Sequence, residues 1–516
     1  MAYIAYSSPK PNGAIYAAVV ESCRKGEKVE QRRLENLGLV VDQEKGIFKS
    51  RERGIYHYSL GKGASEVSPE ETGSLSLGAA AAQAAHEKFI LDFGDSYVLD
   101  RYISGLPIRE AIGEILPNER DTLMSLMFYR ILTDKKANCN ALTWWEGNYA
   151  CLLFPKAQLA SQRISEFLAR LGGEDVQRAF FRRYLGILYG RQDEQAAAIL
   201  IDSTGLPNAS GMTITQLNNH NGDISLEIRL IYVIDRRNGM PIYFRYCAGN
   251  IVDVSTMLTT IAELSQYNVS VESAIVDAGY FSEPNVRDMY ENGIHFVTRL
   301  APNRKLFKEV TGEHLHDIST AKYAIRHGGR LVYMKKAKID VYGYEGYAYV
   351  GVDMDSKNSQ VKRATFNCMD DKLESEEIDR RIESLGVFAL LSSDDMDTKD
   401  VLPLYYTRQQ VEQVFDIAKN NADILPLRTQ SEDTFRGHLM LTFLATAILQ
   451  KLQRDILHLR KKGDKTNPEG ALMRLRNQKC KVYLRDIIPQ EAVKEINDVY
   501  KLLGIKCPIT IARASC

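Results

Sequence analysis

The chain is 516 residues long, room for about three or four domains of ordinary size, which excludes a peptide module or a disulfide-stapled mini-protein. Hydrophobic residues make up 45% and charged residues 26%, the usage of a folded globular protein, so wholesale disorder, collagen and a continuous coiled coil do not fit. Lys plus Arg and Asp plus Glu each number 66; net charge therefore gives no polyanionic partner, and a nucleic-acid reading has to rest on local features.

In chain order, residues 1–70 carry short β-type runs (Ala14 to Val20, Val29 to Leu37, Gly54 to Leu60) broken by Gly and by the basic turn Arg24-Lys25-Gly26, and predict a small β-rich module. From 75 to 190 the pattern is helical, with stops at Pro107, Pro117 and Pro155. A run from Ser161 to Leu171 sets Ile164, Phe167, Leu168 and Leu171 at i, i+3, i+4 and i+7. This all-α region is a candidate for DNA binding, with Ser161 to Leu171 as a recognition helix, although core packing explains the same spacing.

Residues 196–300 read strand, strand, strand, helix, strand, helix, strand. Ala196 to Ile201 ends at Asp202, Leu226 to Ile234 and Pro241 to Cys247 flank the turn Arg236-Arg237-Asn238-Gly239, and Ala274 to Val276 ends at Asp277. A helix from Asp253 to Tyr267 and a strand at His295 to Val297 complete the set. Three successive strands without a helix argue against a doubly wound nucleotide fold and for a mixed sheet of the ribonuclease H kind. Residues 301–395 are β-rich, with a turn at Asp355-Ser356-Lys357-Asn358, and read as an insertion. Residues 396–460 bring a helix from Lys399 to Asn421 and an apolar helix from Phe435 to Leu457. Residues 461–516 form a basic C-terminal region; from 451 onward 15 Lys or Arg face seven Asp or Glu. The fold class is thus multidomain α/β, a ribonuclease H-like core interrupted by a β-rich insertion.

The eight cysteines (Cys23, Cys139, Cys151, Cys247, Cys368, Cys480, Cys507, Cys516) show no Cys-x-x-Cys and no zinc or disulfide spacing, which points to a reducing cytosol. The N-terminus has no signal-peptide pattern, and the longest apolar run, Leu439 to Leu449, is short of the ~20 residues of a membrane span. A cytoplasmic chain with no membrane partner is expected.

Asp202 and Asp277 each follow an apolar strand, where a carboxylate binds metal, binds ligand or caps a turn. A third acid, Glu412, lies in Tyr405-Tyr406-Thr407-Arg408-Gln409-Gln410-Val411-Glu412-Gln413-Val414-Phe415-Asp416-Ile417-Ala418-Lys419. At about 100° per residue, Tyr405, Arg408, Glu412 and Lys419 share one stripe, while Val411, Val414, Phe415 and Ala418 form the neighbouring apolar face. The bland alternative is a solvated face with an Arg408 to Glu412 pair of a few tenths of a kcal/mol. Other candidates are weaker: Asp202-x-Thr204-Gly205 as a sugar-kinase phosphate loop lacks its companion motifs, His314-Leu315-His316 lacks a third metal ligand, and Trp144-Trp145 suits core packing better than base stacking.

The spacing Tyr405, Arg408, Glu412, Lys419 resembles the Tyr-Arg-Glu-Lys signature of the DDE transposases of bacterial insertion sequences, in the insertion-sequence-four group. Asp202 in Leu200-Ile201-Asp202-Ser203-Thr204-Gly205 and Asp277 in Val276-Asp277-Ala278-Gly279-Tyr280 are similar to that family's two aspartates. The resemblance covers residues 196–460 and more loosely the N-terminal module. It implies a transposase that cleaves DNA at element ends and transfers the strand to a target, with Asp202, Asp277 and Glu412 as catalytic metal ligands. Arg408 and Lys419 would grip phosphates, and Tyr405 would pack against the DNA end. Three hard carboxylates suit two Mg²⁺ or Mn²⁺ ions, which activate the attacking oxygen and stabilise the leaving one. The implied partners are double-stranded DNA, as element ends and target, and further copies of the chain in a homodimer or higher oligomer, in a bacterial, nucleoid-associated setting. The rivals are a non-catalytic DNA-binding derivative and a nuclease of the same fold that cleaves without joining.

Overall fold

The computed structural model describes residues 2–8, 15–25, 28–43, 45–50, 53–66, 89–133, 137–190, 196–208, 210–220, 223–251, 253–371, 382, 384–422, 424–425, 429, 431–461 and 463–513. Gly26 of the basic turn and the first residues of the predicted helical region, 75–88, lie outside them. The chain divides into two compact units, Met1–Phe89 with Lys481–Ile488 and Thr510–Cys516, and Ile90–Cys480 with Pro489–Ile509. In the first, six antiparallel strands run in sequence order from Ala2–Tyr6 to Gly63–Glu66. Ala17, Val19, Leu37, Phe48 and Tyr56 form its buried side.

The second unit is a mixed α/β body built on one ten-stranded sheet. Its strands are β1 (Ala196–Pro207), β2 (Asp223–Asp235), β3 (Met240–Ala248), β4 (Ser270–Val276), β5 (His295–Arg299), β6 (Ala324–His327), β7 (Arg330–Val341), β8 (Tyr344–Asp353) and β9 (Val387–Ser392). The order is β3-β2-β1-β4-β5-β9-β8-β7-β6, with Gln216–His220 paired to β2 off this path. β2 lies antiparallel to β1 and β3, β4 and β5 run parallel to β1, and every pairing from β5 to β6 is antiparallel. The β-rich stretch after residue 301 is therefore continuous with the same sheet: β9 adds its edge to β5, with Thr298 opposite Leu391.

Helices cover the sheet. Those bearing on the site are α1 (Arg120–Leu132), α2 (Ser161–Leu171), α3 (Thr398–Tyr406), α4 (Gln409–Asn420) and α5 (Glu432–Leu459). The apolar stripe of α2, Ile164, Phe167, Leu168 and Leu171, is buried. The crossing with α5 is backbone to backbone: a Cβ on Gly437 would run into the Leu168 carbonyl, and one on Gly172 into the Asp433 carbonyl. The four buried residues of α2 are thus core. Helix α5 is buried from Leu439 to Leu449 on every side because it runs through the middle of the unit, and Ser431 caps it by accepting from the Thr434 N–H.

Three local expectations need correction. The predicted turn at Asp355-Ser356-Lys357-Asn358 is the first turn of a helix, Met354–Asp371. Asp353 accepts from the Ser356 N–H at 3.0 Å, and Asp, Ser and Asn favour helix starts as much as turns. The single helix expected from Lys399 to Asn421 is two. Between them the backbone tightens into i to i+3 bonds, Thr407 to Leu404 and Arg408 to Tyr405, both 3.1 Å, and Gln410 to Thr407, 3.0 Å; Pro403 lies inside the first helix. Lastly, β1 does not stop at Ile201 but runs on to Pro207, because β2 keeps pairing with it beyond the point where β4 ends.

Candidate active site

Asp202 and Asp277 become neighbours through strand register. β1 and β4 are parallel with Ile201 opposite Val276, so the residues that follow, Asp202 and Asp277, emerge side by side at the middle of the sheet. Asp202 stays within the strand, which removes the turn-capping reading. Asp277 precedes a short 3₁₀ turn, Ala278–Tyr280, without capping it through its side chain.

Glu412 reaches them because α4 is clamped to the face that carries Asp202. In the β1/β2 ladder Asp202 is opposite Tyr232, so the two side chains share a face. Phe415 stacks on the Tyr232 ring at 5.3 Å, and Val411, Val414 and Ala418 are buried beside it. With that face held down, the preceding turn carries Glu412 toward the two aspartates.

The three carboxylates meet at Arg408. Its Nη1 lies 2.9 Å from Asp202 Oδ2 and 3.4 Å from Asp277 Oδ2, and its Nη2 lies 3.0 Å from Glu412 Oε1. Arg408 is 19% exposed, Asp202 16%, Asp277 39% and Glu412 56%: the cluster opens to solvent on the Glu412 side. Burial disfavours the Arg408 charge, but the neighbouring anions, Asp277 foremost, outweigh it and hold the guanidinium above its ordinary value. One cation among three anions leaves a net deficit of positive charge.

The rest of the stripe is divided. Tyr405 is 7% exposed, and its phenol donates to Asp277 Oδ1 at 3.3 Å. Burial, reinforced by Asp277, pushes that phenol up. Lys419 Nζ donates to Thr204 Oγ1 at 2.6 Å, on the same face as Asp202; burial lowers its amine, with Glu227 and Asp416 opposing. Thr204 was read in the sequence only within a weak sugar-kinase phosphate loop and was not singled out as a partner of Lys419, although its period-two offset from Asp202 is the signal that finds it. Nor were Glu227 and Arg229, buried in β2, where Nη1 of Arg229 is 3.8 Å from Glu227 Oε1 and its Nε donates to Ser203. Opposite charges two residues apart in an apolar strand would have marked them. His314 and His316 pair with the adjacent acids Glu313 and Asp317. Trp144 rests on Tyr129 with ring centres 5.6 Å apart.

Asp202, Asp277 and Glu412 are hard oxygen donors already gathered around one positive charge, so in donor chemistry they fit a divalent cation. As they stand, no three His, Cys, Asp or Glu among the described residues form a ligand set; Asp202, Asp277 and Glu412 face the Arg408 guanidinium instead. A metal ion would take over the partners that Arg408 now holds.

Residues 194–448, just under half of the chain, match the transposase DDE domain family. The match supports a DDE transposase, a class of DNA-cleaving enzymes that in general use divalent metal ions. The matched stretch runs from the start of β1 into α5 and includes all three carboxylates, Arg408 and Lys419. Among solved structures, the chain is similar to the piggyBac transposase in a cryo-EM structure of its synaptic complex with hairpin DNA. Identity is 12% and the TM-score 0.41, over 74% of this chain and 79% of that one. No curated protein matches the chain. No helix among the described residues is long and apolar enough to cross a membrane.

Proposed function

We propose that the chain is a transposase of the insertion-sequence-four group that cuts DNA at the ends of its element and joins the freed end to target DNA. The observation that carries the reading is the convergence of Asp202, Asp277 and Glu412, from three separate segments, on one guanidinium within 3.4 Å. One guanidinium is enough to pair with one carboxylate, so three brought to it from separate segments suggest a site with a charge to hold beyond that ion pair. The sheet order β3-β2-β1-β4-β5, antiparallel then parallel, supports a ribonuclease H-like core, with 301–395 as the family's insertion grown onto its edge.

In this reading Asp202, Asp277 and Glu412 hold Mg²⁺ or Mn²⁺, two ions in all. When bound, these supply Lewis acidity at the attacking and leaving oxygens of the phosphodiester. Arg408, displaced from the carboxylates, is left with a planar fork of donors suited to a backbone phosphate. Lys419, held on Thr204 beside Asp202, contributes a second positive charge to the same strand of DNA. Further copies of the chain would bring two element ends together.

The test is to incubate the protein and Mg²⁺ with a labelled duplex carrying the terminal sequence that flanks its gene, together with a target plasmid. Cut ends and joined products are expected. Cutting without joining would make the chain a nuclease, and binding without cutting a non-catalytic derivative.

A further inference from the structure

Lys419 lies half-buried in the last turn of α4, and no carboxylate of the described residues comes within ion-pair distance of its Nζ; Glu227 and Asp416 act on it from farther away. Its hydrogen bond goes instead to a neutral group, Thr204 Oγ1, at 2.6 Å. Along the face of β1 that carries Asp202 the row reads Leu200, Asp202, Thr204, Leu206, and both leucines are fully buried. The polar part of this row is therefore two residues wide, with Thr204 about 6.5 Å beyond Asp202 along the strand. On the β4 side the ladder ends where Ile201 meets Val276, and no described strand pairs with β1 there beyond that point. A threonine hydroxyl has one hydrogen to give and two lone pairs to accept with. Since Oγ1 accepts from Lys419, its own hydrogen is free to donate, as are the remaining hydrogens of the ammonium. Several donors at one spot, with a positive charge and no paired anion, match the chemistry of a phosphate.

We infer that Thr204 is a DNA contact: its hydroxyl, together with the Lys419 ammonium, binds the backbone phosphate next to the one that is cut. The inference rests on the reading of Asp202 as a metal ligand at the scissile phosphate. The interval between Asp202 and Thr204 is close to that between successive phosphates of one DNA strand, so a strand whose scissile phosphate lies at Asp202 sets its neighbour at Thr204. Lys419 by itself is a point charge on a flexible stem and would take any phosphate within reach. The hydroxyl, fixed to the same β-strand as Asp202, selects one phosphate and thereby sets the register of the cut.

The experiment uses the full chain and a duplex carrying the element end, in which single phosphates on either side of that end are replaced, one at a time, by uncharged methylphosphonate. Affinity is measured in excess chelator and cutting in Mg²⁺, on wild type, Thr204→Val, Thr204→Ser and Lys419→Met. Thr204→Val keeps the branched shape that a strand favours, so its melting temperature is expected to match wild type. Wild type is expected to lose about tenfold in affinity at one methylphosphonate beside the cut, the usual worth of a hydrogen bond to a charged group. Thr204→Val should bind the unmodified duplex about tenfold more weakly and lose most of its sensitivity to that one methylphosphonate, whereas Thr204→Ser should behave as wild type. Wild-type affinity in Thr204→Val, with Lys419→Met impaired, overturns the inference and leaves the hydroxyl a resting place for the lysine. Weaker binding by Thr204→Val that stays as sensitive to that methylphosphonate as wild type overturns it too. Failure of wild type to cut in Mg²⁺, with the expected binding pattern intact, removes the metal reading of Asp202 instead and leaves Thr204 a phosphate contact.

Discussion

Two arginines of the second unit show how much a partner set says about a residue's purpose. Arg130, on α1, is 3% exposed. It donates to the Thr442 hydroxyl at 2.7 Å and the Ala422 carbonyl at 3.3 Å, and it meets His438 Nδ1 at 2.9 Å. His438 faces the Ile424 carbonyl with Nε2 at 3.1 Å, so a ring that accepts from Arg130 and donates to Ile424 serves both contacts without a charge of its own. That arginine ties α1 to α5 and to the residues after α4. Arg408 faces three carboxylates that outnumber it. The first arrangement sets the arginine among neutral acceptors; the second sets it among carboxylates, which a further cation could share.

The sharpest way to break this contrast is to remove the anions. Asp202→Asn, Asp277→Asn and Glu412→Gln are each expected to abolish cleavage of the labelled element end in Mg²⁺, while duplex affinity in gel shifts persists, because affinity comes mainly from phosphate contacts elsewhere. Near-normal cleavage by any one variant takes that residue out of the set. The Arg130 cluster should fail differently. Arg130→Met leaves a carbonyl, a hydroxyl and an imidazole buried without their donor, at a cost of about 2–4 kcal/mol. Urea titration would read this as a lower midpoint at constant slope, and Mn²⁺ affinity should not change.

Arg408→Ala should divide the two effects. In chelator three carboxylates then face one another, and the melting temperature is expected to fall; added Mn²⁺ should restore it, which no purely structural arginine would allow. Cleavage should drop on the order of 10²-fold, because small misplacement of reacting groups is expensive, and Arg408→Lys should recover little of it. A melting temperature indifferent to Mn²⁺ would mean that the carboxylates do not exchange the arginine for an ion.

Lys419 offers a smaller test with a definite sign. Burial lowers its amine below the ordinary 10.5, so keeping it charged costs the folded state. That cost is full at neutral pH and fades as pH climbs through the lowered value toward 10.5. Lys419→Met is therefore expected to melt no lower than wild type at pH 7, with any gain shrinking at high pH, yet to cut poorly. The smallest effect concerns exposed charge. Lys461, Lys465 and Arg474 are all solvent-facing, and changing them to Gln should lower the slope of log K against log salt by nearly one unit for each DNA phosphate that the protein then leaves unneutralised. An unchanged slope would make them ordinary surface.

Much of this site was legible because its chemistry is written in short segments. The apolar run ending at Asp202, the one ending at Asp277, and the interval from Arg408 to Glu412 each announce themselves, and a helical wheel already placed Val411, Val414, Phe415 and Ala418 on the side that packs against Tyr232. The wheel put Tyr405, Arg408 and Glu412 on one stripe, and all three side chains do reach the same carboxylate cluster. What a constant 100° per residue could not show is the break between α3 and α4, where i to i+3 bonds at Thr407 and Arg408 replace the α-helical ones. Register was equally hidden. That Ile201 pairs with Val276, and that β9 joins β5, depends on contacts across 75 residues or more, and no local pattern encodes which strand edges meet. The Thr204 contact of Lys419 follows from that same register.

The central claim, that Asp202, Asp277 and Glu412 together hold metal, is tested most directly by letting an ion mark its own position. Iron(II) substituted for Mg²⁺ in the full chain, with ascorbate and peroxide, cuts the polypeptide beside the bound ion, and the fragments can be mapped by mass spectrometry. Cuts clustered near residues 202, 277 and 412, suppressed by excess Mg²⁺ and absent from Asp202→Asn, are the expected result. Cutting elsewhere, or cutting at these positions that survives both Mg²⁺ and Asp202→Asn, would contradict it.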